Sequence, residues 1–196
     1  MLDLINEILD LALIESGKVS LSNEPVLLIN VIHECQAMIE SLAQQRDIQL
    51  NFLPFDQTLS VYADRIRVKQ ILINLFSNAV KYNREHGTVD VKCAQCSPER
   101  IRISIKDSGA GMSPEMLTQL FQPFNRLGQE NGNEQGTGIG LVVTKQLVEL
   151  MGGTMGVEST IEVGSEFWVE LIFGRYAAAD GGLYQASRTC MASSGQ

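Results

Sequence analysis

Positive charge is scarce in this sequence. Fifteen Lys and Arg stand against 23 Asp and Glu, a formal net charge of -8 over 196 residues. A broad nucleic-acid surface needs a basic stripe, so nucleic acid is excluded as a partner. No apolar run approaches the roughly 20 residues that span a bilayer, and no signal-peptide pattern opens the chain. A reduced, cytoplasmic location is expected, compatible with a longer parent attached to an inner membrane. Cysteine is sparse: Cys35, Cys93, Cys96 and Cys190. Cys93 and Cys96 make one CxxC, but no second Cys or His pair stands at zinc spacing, so the pair is read as incidental. Histidine occurs only at positions 33 and 86. No Gly-Lys-Ser/Thr follows any glycine-rich loop, which excludes a Walker A site.

Apolar residues make up 44% of the chain and charged residues 19%. That suits one α/β domain with short extensions and a real core. An anionic ligand on this acidic background must be met by local devices: a metal ion, a few cations and backbone N–H groups.

Leu2, Ile5, Leu9, Ala12 and Leu13 recur at three- and four-residue steps and predict an amphipathic helix over 2–14, stopped at Gly17. So short a helix is marginal alone, and its stripe expects either a partner helix or its own domain. A short strand is expected over 19–21, and a turn at Pro25 leads into a helix over 28–46. Strands follow over 48–52 and 58–62, and Asp64 caps a helix over 65–82. Alternating runs over 88–93 and 100–106, joined by Ser97-Pro98-Glu99, predict a hairpin. A short helix spans 114–120, a polar glycine-rich mobile loop 125–138, and a helix 139–151. Strands over 153–159 and 166–173 complete the sheet, and 174–196 reads as a disordered tail.

Three segments carry chemistry. Asn74, Asn78 and Lys81 share one face of the 65–82 helix, with Tyr82 beside them. Unpaired buried amides cost roughly 1–3 kcal/mol each, and a hydrated metal held between asparagine and phosphates would satisfy them. The alternative is a pair of exposed amides at a helix end. The second segment is Asp107-Ser108-Gly109-Ala110-Gly111-Met112, directly after a strand. Its carboxylate can accept from an amino group such as that of adenine, although from these residues alone a tight turn with an Asx cap is the stronger reading. The third is Gly136-Thr137-Gly138-Ile139-Gly140-Leu141, opening a helix whose free N–H groups suit phosphate. A polar loop rather than a strand precedes it, which excludes a Rossmann fingerprint.

In this order the segments resemble the histidine kinase catalytic domain, a member of the GHKL superfamily with the gyrase, heat-shock chaperone and mismatch-repair ATPases. The run from Asp64 to Tyr82 resembles the N box and Asp107 to Met112 the G1 box. Phe121-Gln122-Pro123-Phe124-Asn125-Arg126 resembles the F box, Gly136 to Leu141 the G2 box, and Gly164-Ser165-Glu166-Phe167 the closing element. The resemblance implies a two-layer α/β (α+β) sandwich of the Bergerat type, with a mixed, mostly antiparallel sheet and helices on one face. It implies ATP and Mg2+ as cofactors. Asn78 would hold Mg2+, Asn74 would order the metal's water, Lys81 would meet phosphate, and Tyr82 would line the pocket. Asp107 would accept from the adenine amino group, with Gly109 and Gly111 shaping the pocket floor. Gly136, Gly138 and Gly140 would present lid N–H groups to phosphate, with Thr137, Leu141 and Ser165 among the nucleotide contacts. Arg126 would reach the γ-phosphate, and Phe121 and Phe124 would anchor the lid.

The ATPase relatives carry a water-activating Glu four positions before the metal-binding Asn. Here that position is Asn74, which is no general base at neutral pH. The resemblance therefore implies a protein histidine kinase. Residues 1–21 resemble the end of the dimerisation hairpin, 22–173 the catalytic domain, and 174–196 remain a tail. The acceptor histidine would lie on the absent part of the hairpin. His33 falls inside a catalytic-domain helix without the usual downstream Pro and is read as an ordinary helix residue, and His86 faces solvent. Implied partners are that hairpin, a response regulator receiver domain and a second copy in the parent. An ATP-hydrolysing switch, a serine kinase and a non-catalytic ATP-binding scaffold are the alternatives.

Overall fold

The computed structural model describes residues 2–125 and 138–174. Helix α1 (Leu2–Glu15) ends at Gly17, whose φ is +65°. There the Gly17 and Lys18 amides reach back to the carbonyls of Ile14 and Leu13 at 2.9 and 3.1 Å, a left-handed terminus that glycine adopts without a Cβ penalty. Strand β1 is Asn23–Leu27, so the strand expected over 19–21 starts later and Pro25 lies within it rather than in a turn. Pro25 is tolerated because β1 pairs with one neighbour only, which leaves an edge where a missing N–H costs no ladder bond.

Helix α2 (Leu28–Gln44) and strand β2 (Gln49–Phe52) follow. Strand β3 is Ser60–Asp64, two residues later than the alternation suggests. The backbone N–H and the hydroxyl of Thr58 both bond the Asp56 carboxylate, at 2.8 and 2.7 Å, and hold Thr58 in the preceding turn. Next come α3 (Arg65–Lys81), β4 (Thr88–Ser97), β5 (Arg100–Asp107), α4 (Pro114–Gln119), α5 (Gly140–Leu150), β6 (Thr154–Thr160) and β7 (Gly164–Ile172).

The strands form two sheets rather than one. Antiparallel β1 and β3 make a small sheet, linked to the large one by a bridge between Val61 and Phe173. The large sheet runs β2-β4-β5-β7-β6; β2 lies parallel to β4 and every other neighbour is antiparallel. Its strands bury one face, with Val89 and Val91, Ile101, Ile103 and Ile105, and Phe167, Val169 and Leu171. The opposite face is polar: Lys92 and Lys106 are exposed, and Arg102 stacks on Trp168 at 4.3 Å while pairing with Glu170 at 2.6 Å. Helix α3 buries Val68, Ile71, Leu72, Leu75, Phe76, Ala79 and Val80 against the core, and Phe76 meets the Phe52 ring edge-on at 6.0 Å. This is the expected two-layer architecture.

Helix α1 docks on the domain and also keeps an open face. Asp10 accepts from Arg67 at 3.0 Å and Gln70 at 2.7 Å, and Leu11 is buried. Ile5, Ile8, Leu9 and Leu13 remain exposed. Between β3 and α3, Asp64 accepts from the N–H groups of Ile66 and Arg67 through one oxygen and of Ser22 through the other, at 3.0, 3.1 and 3.0 Å. It caps the helix and ties down the α1–β1 connection. Burial opposes its charge, but those N–H groups and the Arg67 guanidinium outweigh burial and hold the carboxyl below its usual range. The ionised cap thus contributes stability above the unfolded-chain value of about 4, and loses it as pH falls through the lower folded value. Asp64→Ala is expected to lower unfolding free energy by about 1–2 kcal/mol at pH 7, with a smaller difference at pH 3. Urea titrations at the two pH values check this, and an equal loss at both contradicts it.

Candidate functional site

The exposed end of the helical layer brings α3 and α5 together. The Asn74 Nδ2 group donates to Thr144 Oγ1 at 2.6 Å, and Thr144 is buried in α5. A Cβ at Gly140 would lie 2.7 Å from Asn74 Oδ1, so any other residue there would displace the Asn74 amide. Asn78, one turn further on, is half-buried and makes no side-chain hydrogen bond to a described residue. Lys81 ends the helix half-buried, its carbonyl accepting from Arg46 at 2.7 Å. Tyr82 is exposed at the C-cap. Helix α5 starts without a side-chain cap among the described residues. The N–H groups of its first turn, from Gly140 and Leu141 onward, lack intrahelical partners and form its positive end.

The acidic end of β5 forms the second wall. Asp107 is 6% exposed. Its Oδ1 accepts from the N–H of Gly109 at 2.8 Å and of Ser165 at 3.3 Å, whereas Oδ2 accepts from no described residue. Burial pushes this carboxyl above its usual range against the pull of the two N–H groups. Ser165 stands opposite Asp107 across β5 and β7, and Ser159 stands opposite Ser165 across β7 and β6. One polar row, Asp107-Ser165-Ser159, therefore ends an inner face that is otherwise apolar. Gly109 packs against the Tyr82 carbonyl, and Gly111, at φ +68°, has the Thr160 carbonyl where a Cβ would lie. Asn83 joins the two walls: its Nδ2 donates to the Thr88 carbonyl at 3.0 Å and its Oδ1 accepts from Ser108 Oγ at 3.2 Å.

The approach to the lid is held at two points. The Phe121 ring is half-buried, with Lys145 Nζ 4.7 Å from its centroid. Phe124 is 64% exposed and has φ +64°. It meets the lid through its backbone, its N–H donating to the Gly138 carbonyl at 3.1 Å, and not through a buried ring. Arg126, Gly136 and Thr137 lie outside the described residues, as do the rest of the loop and the tail from 175 onward. The structure thus joins Asn74 with Gly140, Asp107 with Gly109 and Ser165, Tyr82 with Gly109, and Phe124 with Gly138. Three residues absent from the sequence-based site are built into it: Thr144, Ser159 and Asn83. Ser159 was the most accessible to sequence reasoning, since alternation through Met155 and Val157 puts it on the inner face.

The sequence model of the histidine kinase-, DNA gyrase B-, and HSP90-like ATPases matches residues 63–175, more than half of the chain. The chain belongs to this family. The chain is accordingly an ATP-binding domain. Among individual relatives of this ATPase family, the sensor histidine kinase GacS of Pseudomonas protegens is 42% identical over 181 residues, covering 87% of this chain and 19% of that protein. The circadian input-output histidine kinase CikA of Synechococcus elongatus is 40% identical over 172 residues, covering 86% of this chain and 23% of that protein. The chain therefore spans about a fifth of these relatives. Full-length ShkA, solved in complex with AMPPNP, superposes with a TM-score of 0.76 at 30% identity, covering 90% of this chain and 36% of ShkA. The catalytic domain of histidine kinase ThkA gives 0.68 at 28% identity, covering 77% of this chain and 95% of that domain. No helix among the described residues is long and apolar enough to cross a membrane.

The raised Asp107 carboxyl means that the fold gains most from this group below the unfolded-chain value. That gain is lost as pH climbs toward the higher folded value. Asp107→Asn retains an oxygen for the Gly109 and Ser165 N–H groups and removes the buried charge. The variant is expected to melt at or above the native temperature at pH 7, with the difference shrinking at acidic pH as the native carboxyl takes up its proton. A scanning-calorimetry drop of more than about 4 °C at pH 7, near 1 kcal/mol for a domain of this size, contradicts this account.

Proposed function

We propose that this chain binds ATP with Mg2+ and supplies the γ-phosphoryl group to a histidine imidazole on a helical hairpin outside the described chain, for relay to a response regulator aspartate. The observation that carries the reading is the identity and bonding of Asn74. A water-activating site needs a carboxylate there. An amide committed to Thr144 at 2.6 Å neither takes a proton from water nor swings to do so. The γ-phosphoryl group is thereby kept for a better nucleophile, and the protein's task becomes positioning and charge neutralisation.

The residues fit a nucleotide with a metal. Among the described residues no three His, Cys, Asp or Glu side chains cluster as a metal site, so a metal would rely on the amide oxygen of Asn78 and on phosphate oxygens. Mg2+ when bound supplies charge neutralisation along the triphosphate. The first N–H groups of α5 and the Lys81 ammonium complement negative charge. Asp107 Oδ2 is the acceptor for the adenine amino group, and Tyr82 borders the same wall. Arg126, Gly136 and Thr137 belong to this proposal as phosphate-side groups, with Phe121 and the Phe124 backbone at the base of the lid.

Residues 1–21 are assigned to the end of the dimerisation hairpin and 22–173 to the catalytic domain. The support is the open apolar stripe of α1, which a second helix would cover in a homodimeric parent. A response regulator partner is supported by ThkA, a relative at 25% identity and TM-score 0.68 that has been solved in complex with the response regulator TrrA.

Incubated alone with labelled ATP and Mg2+, the chain is expected to remain unlabelled. Added to the parent's hairpin, it should yield acid-labile phosphate on the hairpin. Steady release of inorganic phosphate by the isolated chain would instead favour an ATPase switch and sink the kinase reading. Asn78→Ala is expected to weaken ATP binding at least about tenfold in the presence of Mg2+, the size of one charge-assisted contact, and by less when Mg2+ is chelated. Titration calorimetry reads both.

A further inference from the structure

The polar row that ends the sheet contains a group with no assigned role, Ser159. Its Oγ lies 2.8 Å from the Met112 backbone N, 3.1 Å from the Gly164 carbonyl and 2.9 Å from Ser165 Oγ. A serine hydroxyl has one proton and two lone pairs. The Met112 N–H can only donate, so it takes one lone pair. The Gly164 carbonyl can only accept, so it takes the proton. The one capacity left on Ser159 Oγ is its second lone pair, and Ser165 can meet that only by donating. The hydroxyl proton of Ser165 is therefore turned away from Asp107, and its lone pairs are the part left for a ligand.

We propose that Ser159 is a positioning residue that fixes the direction of the Ser165 hydroxyl and so makes the purine end of the cleft a pure acceptor, selective for a 6-amino purine. Asp107 Oδ2 and the lone pairs of Ser165 both call for a donor, met directly or through one ordered water. A 6-amino group satisfies them, whereas a 6-oxo group presents a lone pair to two acceptors and is rejected. Ser159 touches no ligand in this scheme. It acts by consuming the Ser165 proton, which would otherwise be free to turn toward Asp107 and occupy the acceptor that the amino group needs. The same three bonds fasten the loop at Met112 to the β6–β7 end, so the acceptor wall and the loop beneath it move as one piece.

The proposal rests on the ATP reading of the cleft, and its test separates the two. Calorimetric titrations with Mg2+ would use the whole chain and two probes: ATP and purine riboside triphosphate, which lacks the 6-amino group. Ser159→Ala should weaken ATP about tenfold, the scale of one net hydrogen bond, and change the des-amino nucleotide by less than about twofold. Ser159→Cys, with similar volume and a weak donor, should fall between Ala and native, and Ser159→Thr should restore the native preference. Equal losses on both nucleotides would mean that Ser159 only scaffolds the loop, and this overturns the proposal. So does an unchanged ATP affinity in both Ser159→Ala and Ser159→Cys. If the native chain itself makes no distinction between the two nucleotides, the role of Asp107 falls and takes the proposal with it. If the native chain distinguishes them and the Ser159 variants do so equally well, the ATP reading stands and only the role of Ser159 is lost.

Discussion

A carboxylate placed in the last row of an apolar sheet is the constraint around which the rest of the cleft is arranged. Asp107 continues the buried series Ile101, Ile103 and Ile105 on β5 and has lost nearly all contact with solvent. Burying such a group costs several kcal/mol unless it is hydrogen-bonded. The loop that follows bends so that Gly109 offers its N–H, and β7 begins in the register that brings the Ser165 N–H to the same oxygen. That bend explains the close approach of Gly109 to the Tyr82 carbonyl, and the register explains why Gly164 packs against the Asp107 carbonyl. The local geometry of both motifs follows from keeping one charge solvated by the backbone through one oxygen, with the second left without a partner among the described residues.

The proposed phosphate side works by a complementary rule. Where the proposed purine side gathers acceptors, this side gathers donors and amides: the first N–H groups of α5, the Lys81 ammonium and the Asn78 carboxamide. The two sides are fixed to one another through packed helices and through one side chain in the α3–β4 turn. Asn74 couples α3 to α5, and Asn83 couples the end of α3 to the β4–β5 end of the sheet. Phe121 and the Phe124 backbone are the last described points of this frame before the loop.

Much of this was legible in the sequence, for definable reasons. Strands with one buried face alternate, so the β4–β5 hairpin could be read from Val89, Val91, Ile101, Ile103 and Ile105. Helix α3 could be read from its stripe and from Asp64, a side chain suited to capping. The motifs carry short-range spacing, so their identity was visible as well. The failures were matters of pairing. Pro25 reads as a turn until it is known that β1 has a free edge, and the start of β3 depended on a side chain at Asp56 capturing Thr58. Phe124 reads as a buried anchor because aromatic rings usually are, but its positive φ turns the ring outward. Thr144, Ser159 and Asn83 were missed because their partners are distant in sequence or are backbone atoms, and nothing local marks a hydroxyl or an amide as half of a bond.

The junction between α1 and the domain has a further consequence. It is made of Asp10 bonded to Arg67 and Gln70, with Leu11 and Ile14 tucked beneath. Partly exposed ionic links contribute about 1 kcal/mol or less, and two aliphatic side chains a few more. The ionic part of this seam weakens as ionic strength rises, so the posture of α1 on the domain is set in part by the salt around it.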